Sequence, residues 1–281
     1  MPSRRAFAGL LTVSAGLAAL TACTPQDGAP SPAAASMPAQ TDVAAPAPAS
    51  SAAAATPTPS ATAEPTAATS PGPAPSSTIK TQHSLTDPTS PWVIVNKHRP
   101  LNPQDFVPAD LVQPAIRLAV SGEAALLNST TAAAAERMFG AAASEGVIMT
   151  LASGYRSYTT QVSTYNGYVA STGQAAADRA SARPGHSEHQ TGWSFDIGDG
   201  GGACSFQPCF AEQPAAVWAK ANARKFGFVV RYPWMFHDTT GYFYESWHLR
   251  YIGVDAAVDM ATRGITTLEE YFGLEAAPDY L

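Results

Sequence analysis

The sequence predicts one α+β domain behind a long extension, and three observations carry that reading. Bulky apolar residues are confined to one part of the chain: of 281 residues, all five tryptophans and all ten tyrosines fall at position 92 or later. Residues 24–79 are almost entirely Ala, Pro, Ser and Thr, with no aromatic residue and almost no charge. Such a stretch buries too little apolar surface to offset the cost of ordering its backbone. In the remainder, segments of helical and of strand character mix without a regular repeating unit, which favours an α+β arrangement over a doubly wound sheet. The folded domain is accordingly placed at residues 85–281, with residues 23–84 as a tether and residues 1–22 as a separate leader.

The leader has the form of an export signal. Arg4 and Arg5 in "SRRAF" precede the apolar run "AFAGLLTVSAGLAAL", and small residues then lead to Cys23 in "LTAC". The run is short for a membrane span. The arginine pair resembles the signal for export of folded proteins, and "LTAC" resembles a bacterial lipoprotein processing site, which makes Cys23 the candidate lipidation residue. An ordinary cleaved signal with a cysteine nearby is the alternative. The tether's prolines favour extended, polyproline-like segments, which gives residues 24–79 a reach of at most roughly 170 Å. The expected location is outside the cell, at the outer face of the cytoplasmic membrane as a lipoprotein or associated with the cell wall. The formal charge is −6, and −8 once Arg4 and Arg5 are removed. That balance offers no support for nucleic-acid binding. A monomer is expected.

Along the domain, "SPWVIVNKHRP" reads as a short apolar strand followed by extended, Pro-punctuated chain. Residues 130–146, "TTAAAAERMFGAAASEG", favour helix through their alanines and place Met138 and Phe139 where they can pack inward. "VIMTLASGYRS" reads as a strand running into a turn, and "YTTQVSTYNGYVASTG" as the helix after it. Trp193 to Ile197 form a further short strand, followed by a glycine-rich loop. In "AEQPAAVWAKANARKFG" a helical period puts Trp218, Ala219, Asn222 and Phe226 on one inward stripe and Lys220 and Arg224 on the other side. Lys225 lies close to the Trp218 line and has to reach water along its own stem. "FVVRYP" and "GYFYESWHLRYIG" read as strands, and "DAAVDMATRG" and "TLEEYFG" as closing helices. Cys204 and Cys209, in "GGACSFQPCF", form a plausible disulfide in an exported chain; zinc ligation is the rival, although no second cysteine pair exists to complete it.

Three groups of residues could carry chemistry. In "HSEHQTGWSFDIGDG", His189 and Asp196 lie on either side of Gly192, a permissive point for a turn, so that loop and strand can bring an imidazole and a carboxylate to one metal ion. By themselves they fit better a hydrogen-bonded histidine beside a loop aspartate, because a third ligand is missing locally. His186, Glu188 and Asp199 in the same stretch are read as loop or peripheral residues. Downstream, "YESWHLR" offers Glu245 as a base and His248 as the missing imidazole. Residues three apart in an ideal strand face opposite sides, so joint use of this pair demands a bulge, a strand end or a local twist. In "SGYRSYTTQ", Arg156 supplies a permanent charge with several donors, suited to a substrate carbonyl or carboxylate, and Tyr158 and Gln161 could add polar contacts.

Taken in order, "SGYRSYTTQ", "PGHSEHQTGWSFDIGD", "GFVVRYP" and "GYFYESWHLRYIG" resemble the zinc D-alanyl-D-alanine carboxypeptidase family of bacterial cell-wall metabolism, VanY-like peptidoglycan peptidases, over residues 92–255. The family signature pairs Ser-x-His-x-x-Gly, ending in Asp, with Glu-x-x-His. It is met here by Ser187, His189, Gly192 and Asp196, then by Glu245, Trp247 and His248. The resemblance implies a compact domain with a central antiparallel sheet and flanking helices. It further implies Zn2+ held by His189, Asp196 and His248, Glu245 as catalytic base, and Arg156 at the substrate carbonyl. Ser187, Tyr158 and Gln161 become candidate substrate contacts, and Trp247 a packing residue behind base and ligand. The implied reaction is hydrolysis of the terminal D-Ala-D-Ala bond of peptidoglycan stem peptides. Alternatives are an endopeptidase acting within the stem or a cross-link, and an inactive cell-wall-binding lipoprotein. Two features depart from the family pattern. "YPWMFHDTTGYFYE" lacks the basic residue often found between the tyrosine-proline pair and the glutamate, and the insertion "GGGACSFQPCF" follows the aspartate.

Overall fold

The computed structural model describes residues 83–281. The expected leader, Cys23 and the tether as far as residue 82 lie outside the described residues. Among the described residues no helix is long and apolar enough to cross a membrane.

Two short antiparallel strands, β1 (Leu111–Val112) and β2 (Leu127–Asn128), precede α1 (Ser129–Ser144). The Asn128 side chain accepts from the backbone N–H groups of Thr130 and Thr131, satisfying donors that a helix start otherwise leaves without partners. As its alanine-rich pattern predicts, α1 buries Met138 and Phe139. Next come β3 (Thr150–Ser153) and α2 (Tyr158–Thr172), the latter capped by Ser157 and stopped at Gly173 with φ +80°. A further helix that the sequence did not separate from α2 follows at once, α3 (Gln174–Ala180). Then come β4 (Ser194–Gly198), α4 (Pro214–Asn222) with a tighter 3-10 turn over Ala223–Phe226, and β5 (Phe228–Tyr232). The chain closes with α5 (His237–Thr240), β6 (Glu245–Tyr251), α6 (Val254–Thr262) and α7 (Leu268–Phe272).

Strands β3, β4, β6 and β5 form one antiparallel sheet in that order. Its two faces differ in chemistry. Leu151, Phe195, Ile197, Leu249 and Phe228 pack with Met138 and Phe139 of α1 and Trp218 of α4; burying each large side chain contributes about 1.5–3 kcal/mol. Because side chains alternate along a strand, the intervening Ser194 and Asp196 of β4 and His248 and Arg250 of β6 occupy the other face. All four are buried. The α+β class, the central antiparallel sheet and the flanking helices match the expectation.

Two strand readings need correction. No strand forms over Trp92–Val95. The segment is extended, but Val93 and Val95 pack with Leu101 and Trp193, whereas Trp92 and Ile94 pack with Ile252, Met260, Leu268 and Tyr271. Its backbone N–H groups bond to loops, Val93 to Ser90 O and Ile94 to Leu85 O. The apolar run is thus a filler between two clusters. The last strand begins at Glu245, because Gly241, at φ +84°, turns the chain just before Tyr242–Tyr244. In the α4 region Trp218 and Ala219 are buried and Lys220 and Arg224 exposed, and Lys225 reaches solvent with its Nζ donating to Asn222 Oδ1 at 2.8 Å.

Candidate metal centre

His189 sits in a 3-10 turn, Glu188–Thr191, that ends at Gly192 with φ +69°. Gly192 is required there: a Cβ would lie 2.8 Å from Asn128 N, besides the strain of a left-handed backbone. The turn feeds directly into β4, where Asp196 is the cross-strand partner of His248 on β6. Adjacent partners project to the same face, which brings the two motif halves together.

The strand spacing of Glu245 and His248 is accommodated by an irregular pairing. Val230 pairs with Leu249 and Tyr232 with Glu245, so three residues of β6 oppose the single Arg231 of β5. Two extra residues in β6 rotate the intervening chain and let both side chains face one site.

His189, Asp196 and His248 each present a ligand atom, and the three atoms lie within 4.8 Å of one another. His189 Nε2 is 3.3 Å from Asp196 Oδ2, and His248 Nδ1 is 3.1 Å from Asp196 Oδ1. Short as the second contact is, it is not aligned as a hydrogen bond, and Asp196 Oδ1 is a buried oxygen without a hydrogen-bond partner. Such an atom is costly unless something electropositive meets it. The opposite ring nitrogens are occupied: His189 Nδ1 is 2.7 Å from Gly154 O, and His248 Nε2 is 3.4 Å from Glu188 Oε2. Those partners accept protons, so the nitrogen lone pairs are left for the side facing Asp196. Two neutral imidazoles and a carboxylate converging in this way fit Zn2+, with room for further ligands.

The site's own groups are strongly perturbed. Burial alone raises the Asp196 carboxyl, but His189 and His248 outweigh it and hold Asp196 well below the usual carboxylate range. Burial pushes His189 down, against the pull of Asp196. For His248, burial opposes protonation, yet the adjacent Asp196 and Glu188 carboxylates raise it to about 9. A divalent cation held by His189, Asp196 and His248 would take the place of that proton. Glu245 Oε2 lies 3.6 Å from His248 Nδ1. Burial, with Asp196 and Glu188 adding and His248 opposing, raises the Glu245 carboxyl to about 7.

The three residues and Glu245 open into a cavity of about 540 Å³, with Arg156, Ser187, Trp247 and Tyr232 in its walls. Arg156 is fixed from behind: Nη1 donates to Gln161 Oε1 at 3.0 Å and Nη2 to Ser153 Oγ at 3.3 Å. Gln161 is itself fully buried and donates to Ser181 Oγ and Ala182 O. It therefore positions Arg156 rather than facing the cavity, and Tyr158 is not among the lining residues either. Ser187 is, and its hydroxyl has no protein partner among the described residues. Trp247 packs against the main apolar cluster and forms part of the cavity wall, with the rings of Phe206 and Phe210 edge-on to it. The loop that carries Phe206 is closed by the Cys204–Cys209 disulfide. His186 turns away, its Nδ1 2.8 Å from Asn96 O, and Asp199 Oδ1 accepts from three backbone N–H groups of the glycine loop.

Two features were not foreseen. Arg179 of α3 is exposed on the cavity rim, a cation that none of the sequence motifs singled out. Beneath the site, Glu188, Arg231, Arg250 and Glu269 form a buried charged cluster. Charged residues at inward positions of otherwise apolar strands, Arg231 and Arg250, were the available signal.

Comparison with known proteins gives a consistent picture. The VanY family, D-alanyl-D-alanine carboxypeptidase, matches residues 124–254. YodJ of Bacillus subtilis (strain 168) is 37% identical over 191 residues, covering 67% of this chain and 69% of YodJ. The LdcB LD-carboxypeptidase, solved for its peptidoglycan recognition, superposes with a TM-score of 0.62 at 37% identity, covering 66% of this chain and 87% of LdcB. A vancomycin-resistance D,D-pentapeptidase VanY from a VanB-type cassette, solved with Zn(II), superposes with a TM-score of 0.53 at 31% identity, covering 64% and 97%. From its matched motifs, its sheet and these likenesses, the chain belongs to the VanY family of D-alanyl-D-alanine carboxypeptidases.

Proposed function

We propose that this chain is a zinc-dependent carboxypeptidase that hydrolyses the terminal D-Ala-D-Ala bond of peptidoglycan stem peptides and releases D-alanine. The observation that carries the reading is the convergence of His189 Nε2, His248 Nδ1 and the unpartnered Asp196 Oδ1 beside the Glu245 carboxyl in one cavity.

Zn2+, when held by these three residues, supplies an acidified water and polarises the scissile carbonyl. Glu245, raised to about 7, is suited to take a proton at neutral pH and return it to the departing amine. Arg156, held by Gln161 and Ser153, reaches into the cavity to meet charge developing on the carbonyl oxygen, and its fixed geometry means little reorganisation during reaction. Ser187 and the rim residue Arg179 are the donors offered to the terminal carboxylate. Phe206, Trp247 and Tyr232 give the cavity apolar walls that limit water around the reacting bond.

A second reading differs only in the bond cleaved. The likeness to the LdcB LD-carboxypeptidase favours removal of D-alanine from a stem tetrapeptide, where an L-centre precedes the scissile bond. Release of D-alanine from matched pentapeptide and tetrapeptide stems decides between them: a higher kcat/KM on the pentapeptide supports D,D-cleavage, and a higher value on the tetrapeptide replaces it with L,D-cleavage. Cleavage of internally linked peptides without D-alanine release would make the chain an endopeptidase.

The same proposal includes export and lipid attachment at Cys23, with residues 23–84 letting a monomeric domain sample stem peptides near the membrane. Mass spectrometry of the mature N-terminus tests it: a diacylated Cys23 supports attachment, and an unmodified residue there refutes it.

A further inference from the structure

The buried cluster under the site links a candidate ligand to a part of the chain beyond the family match. Arg231 of β5 donates from Nε to Glu188 Oε1 at 2.8 Å. Its two other nitrogens clamp Glu269 of α7, Nη1 to Oε2 at 2.9 Å and Nη2 to Oε1 at 2.7 Å. Asn96 Nδ2 adds a bond to Glu269 Oε1 at 3.0 Å. Arg250 Nη1 lies 3.4 Å from Glu188 Oε1, while its Nη2 donates to Pro91 O and Val93 O. Glu188 Oε2, the remaining oxygen, accepts from Ser194 Oγ at 3.0 Å and faces His248 Nε2 at 3.4 Å. Glu188, Arg231, Arg250 and Glu269 are each no more than 1% exposed.

Charge accounting explains what the cluster does. Two guanidinium groups face two carboxylates, so it is neutral without any added cation and is not a second metal site. Isolated ions buried this deeply carry a heavy desolvation cost that is offset only by complete pairing. Glu188 Oε1 accepts from Arg231 Nε and faces Arg250 Nη1 at 3.4 Å without an aligned hydrogen bond, which leaves Oε2 pointed at His248. A proton on Nε2 then bonds to Glu188 and directs the Nδ1 lone pair at Asp196, the orientation a ligand needs.

We propose that Glu188 is the positioning residue of His248. Arg231 holds Glu188, Glu269 in turn holds Arg231, and Asn96 holds Glu269. These last two lie outside the matched residues 124–254, so α7 and the segment before β1 are part of the metal-holding apparatus. The inference rests on His248 being a ligand, as proposed above.

The test is Zn2+ affinity, measured on the full chain by competition with a chromogenic chelator, for the parent, Glu188→Gln, Glu269→Gln and the double variant. Loss of a supporting partner typically weakens a metal site about 10–100-fold, and Glu188→Gln is expected in that range. Glu269→Gln should weaken zinc less, and it should have no further effect in the Glu188→Gln background, because its influence passes through Glu188. A merely structural role would lower thermal stability in both variants without this non-additivity in zinc affinity. If Glu188→Gln does not fold, Glu269→Gln alone is decisive: weaker zinc binding with an intact circular dichroism spectrum supports the relay, and unchanged binding overturns it. Zinc affinity of Glu188→Gln within about threefold of the parent, or a Glu269→Gln effect of equal size in both backgrounds, overturns the proposal. A parent chain that binds no zinc would instead strike the reading of the site itself.

Discussion

Replacing Glu245 by Gln separates proton transfer from metal binding. The two side chains are nearly the same size, and Glu245 is not one of the three converging ligands: its Oε2 stands 3.6 Å from His248 Nδ1, and the three-atom cluster is complete without it. Its chemical value is a carboxyl raised to about 7 by burial and by Asp196. A positioned general base contributes about 10²–10⁴ in rate, or about 2.7–5.4 kcal/mol of barrier. Glu245→Gln should therefore lower kcat for D-alanine release by that factor and leave Zn2+ stoichiometry unchanged. The parent's pH profile follows from the same group. The base must be ionised, so kcat/KM falls as pH drops through its pKa, and the positive charge of bound zinc moves that limb to about 7 or below. The assay is D-alanine release from a stem pentapeptide by metal-loaded protein across pH 5–9. A variant with more than one-tenth of parental kcat, or one that has lost its zinc, would refute the division of labour.

Three other predictions follow from particular contacts. Arg156→Ala should lower kcat about 10²–10³-fold with zinc affinity unchanged, and Arg156→Lys should not restore it, because a single ammonium cannot bond Gln161 and Ser153 and still face the cavity. Gly192→Ala places a methyl 2.8 Å from Asn128 N at φ +69°; about 1–2 kcal/mol of left-handed strain plus about 1–3 of crowding should appear as a lower denaturation midpoint. Burial alone would raise Glu269, but Arg231 outweighs it and holds the carboxyl below its usual value. A depressed carboxyl stabilises the fold above its unfolded pKa and loses that contribution as pH falls through the folded one. The stability gap between parent and Glu269→Gln should hence be full at neutral pH and narrow below about pH 4.5, read from urea midpoints; a gap independent of pH would contradict it.

The parts of the site legible in sequence were those fixed by local chemistry. His189 and Asp196 flank a glycine whose left-handed conformation turns one into the other's strand. The three-residue spacing of Glu245 and His248 required a break in regular pairing, and β6 carries one opposite Arg231. Side-chain direction on helices was less legible. Gln161 and Tyr158 follow the arginine motif as polar residues, but nothing in one sequence tells which turn of α2 faces a cavity; Gln161 points to Arg156 and Ser181. Pairings between distant segments were invisible. Glu188 looked peripheral because Arg231, Arg250 and Glu269, which make it a buried ion, come from three separate elements. Trp92–Val95 has the composition of a strand, yet two apolar clusters claim its alternate residues and no neighbouring strand offers it a ladder.

On the proposed reading, zinc held by His189, Asp196 and His248 enables this chain to release D-alanine from a stem peptide. Its most direct test is the rate of D-alanine release before chelation, after chelation and after Zn2+ is restored, with metal content followed in the same samples. One zinc per chain, loss of release with the metal and recovery on its return are expected. Release that persists in metal-free protein would contradict it.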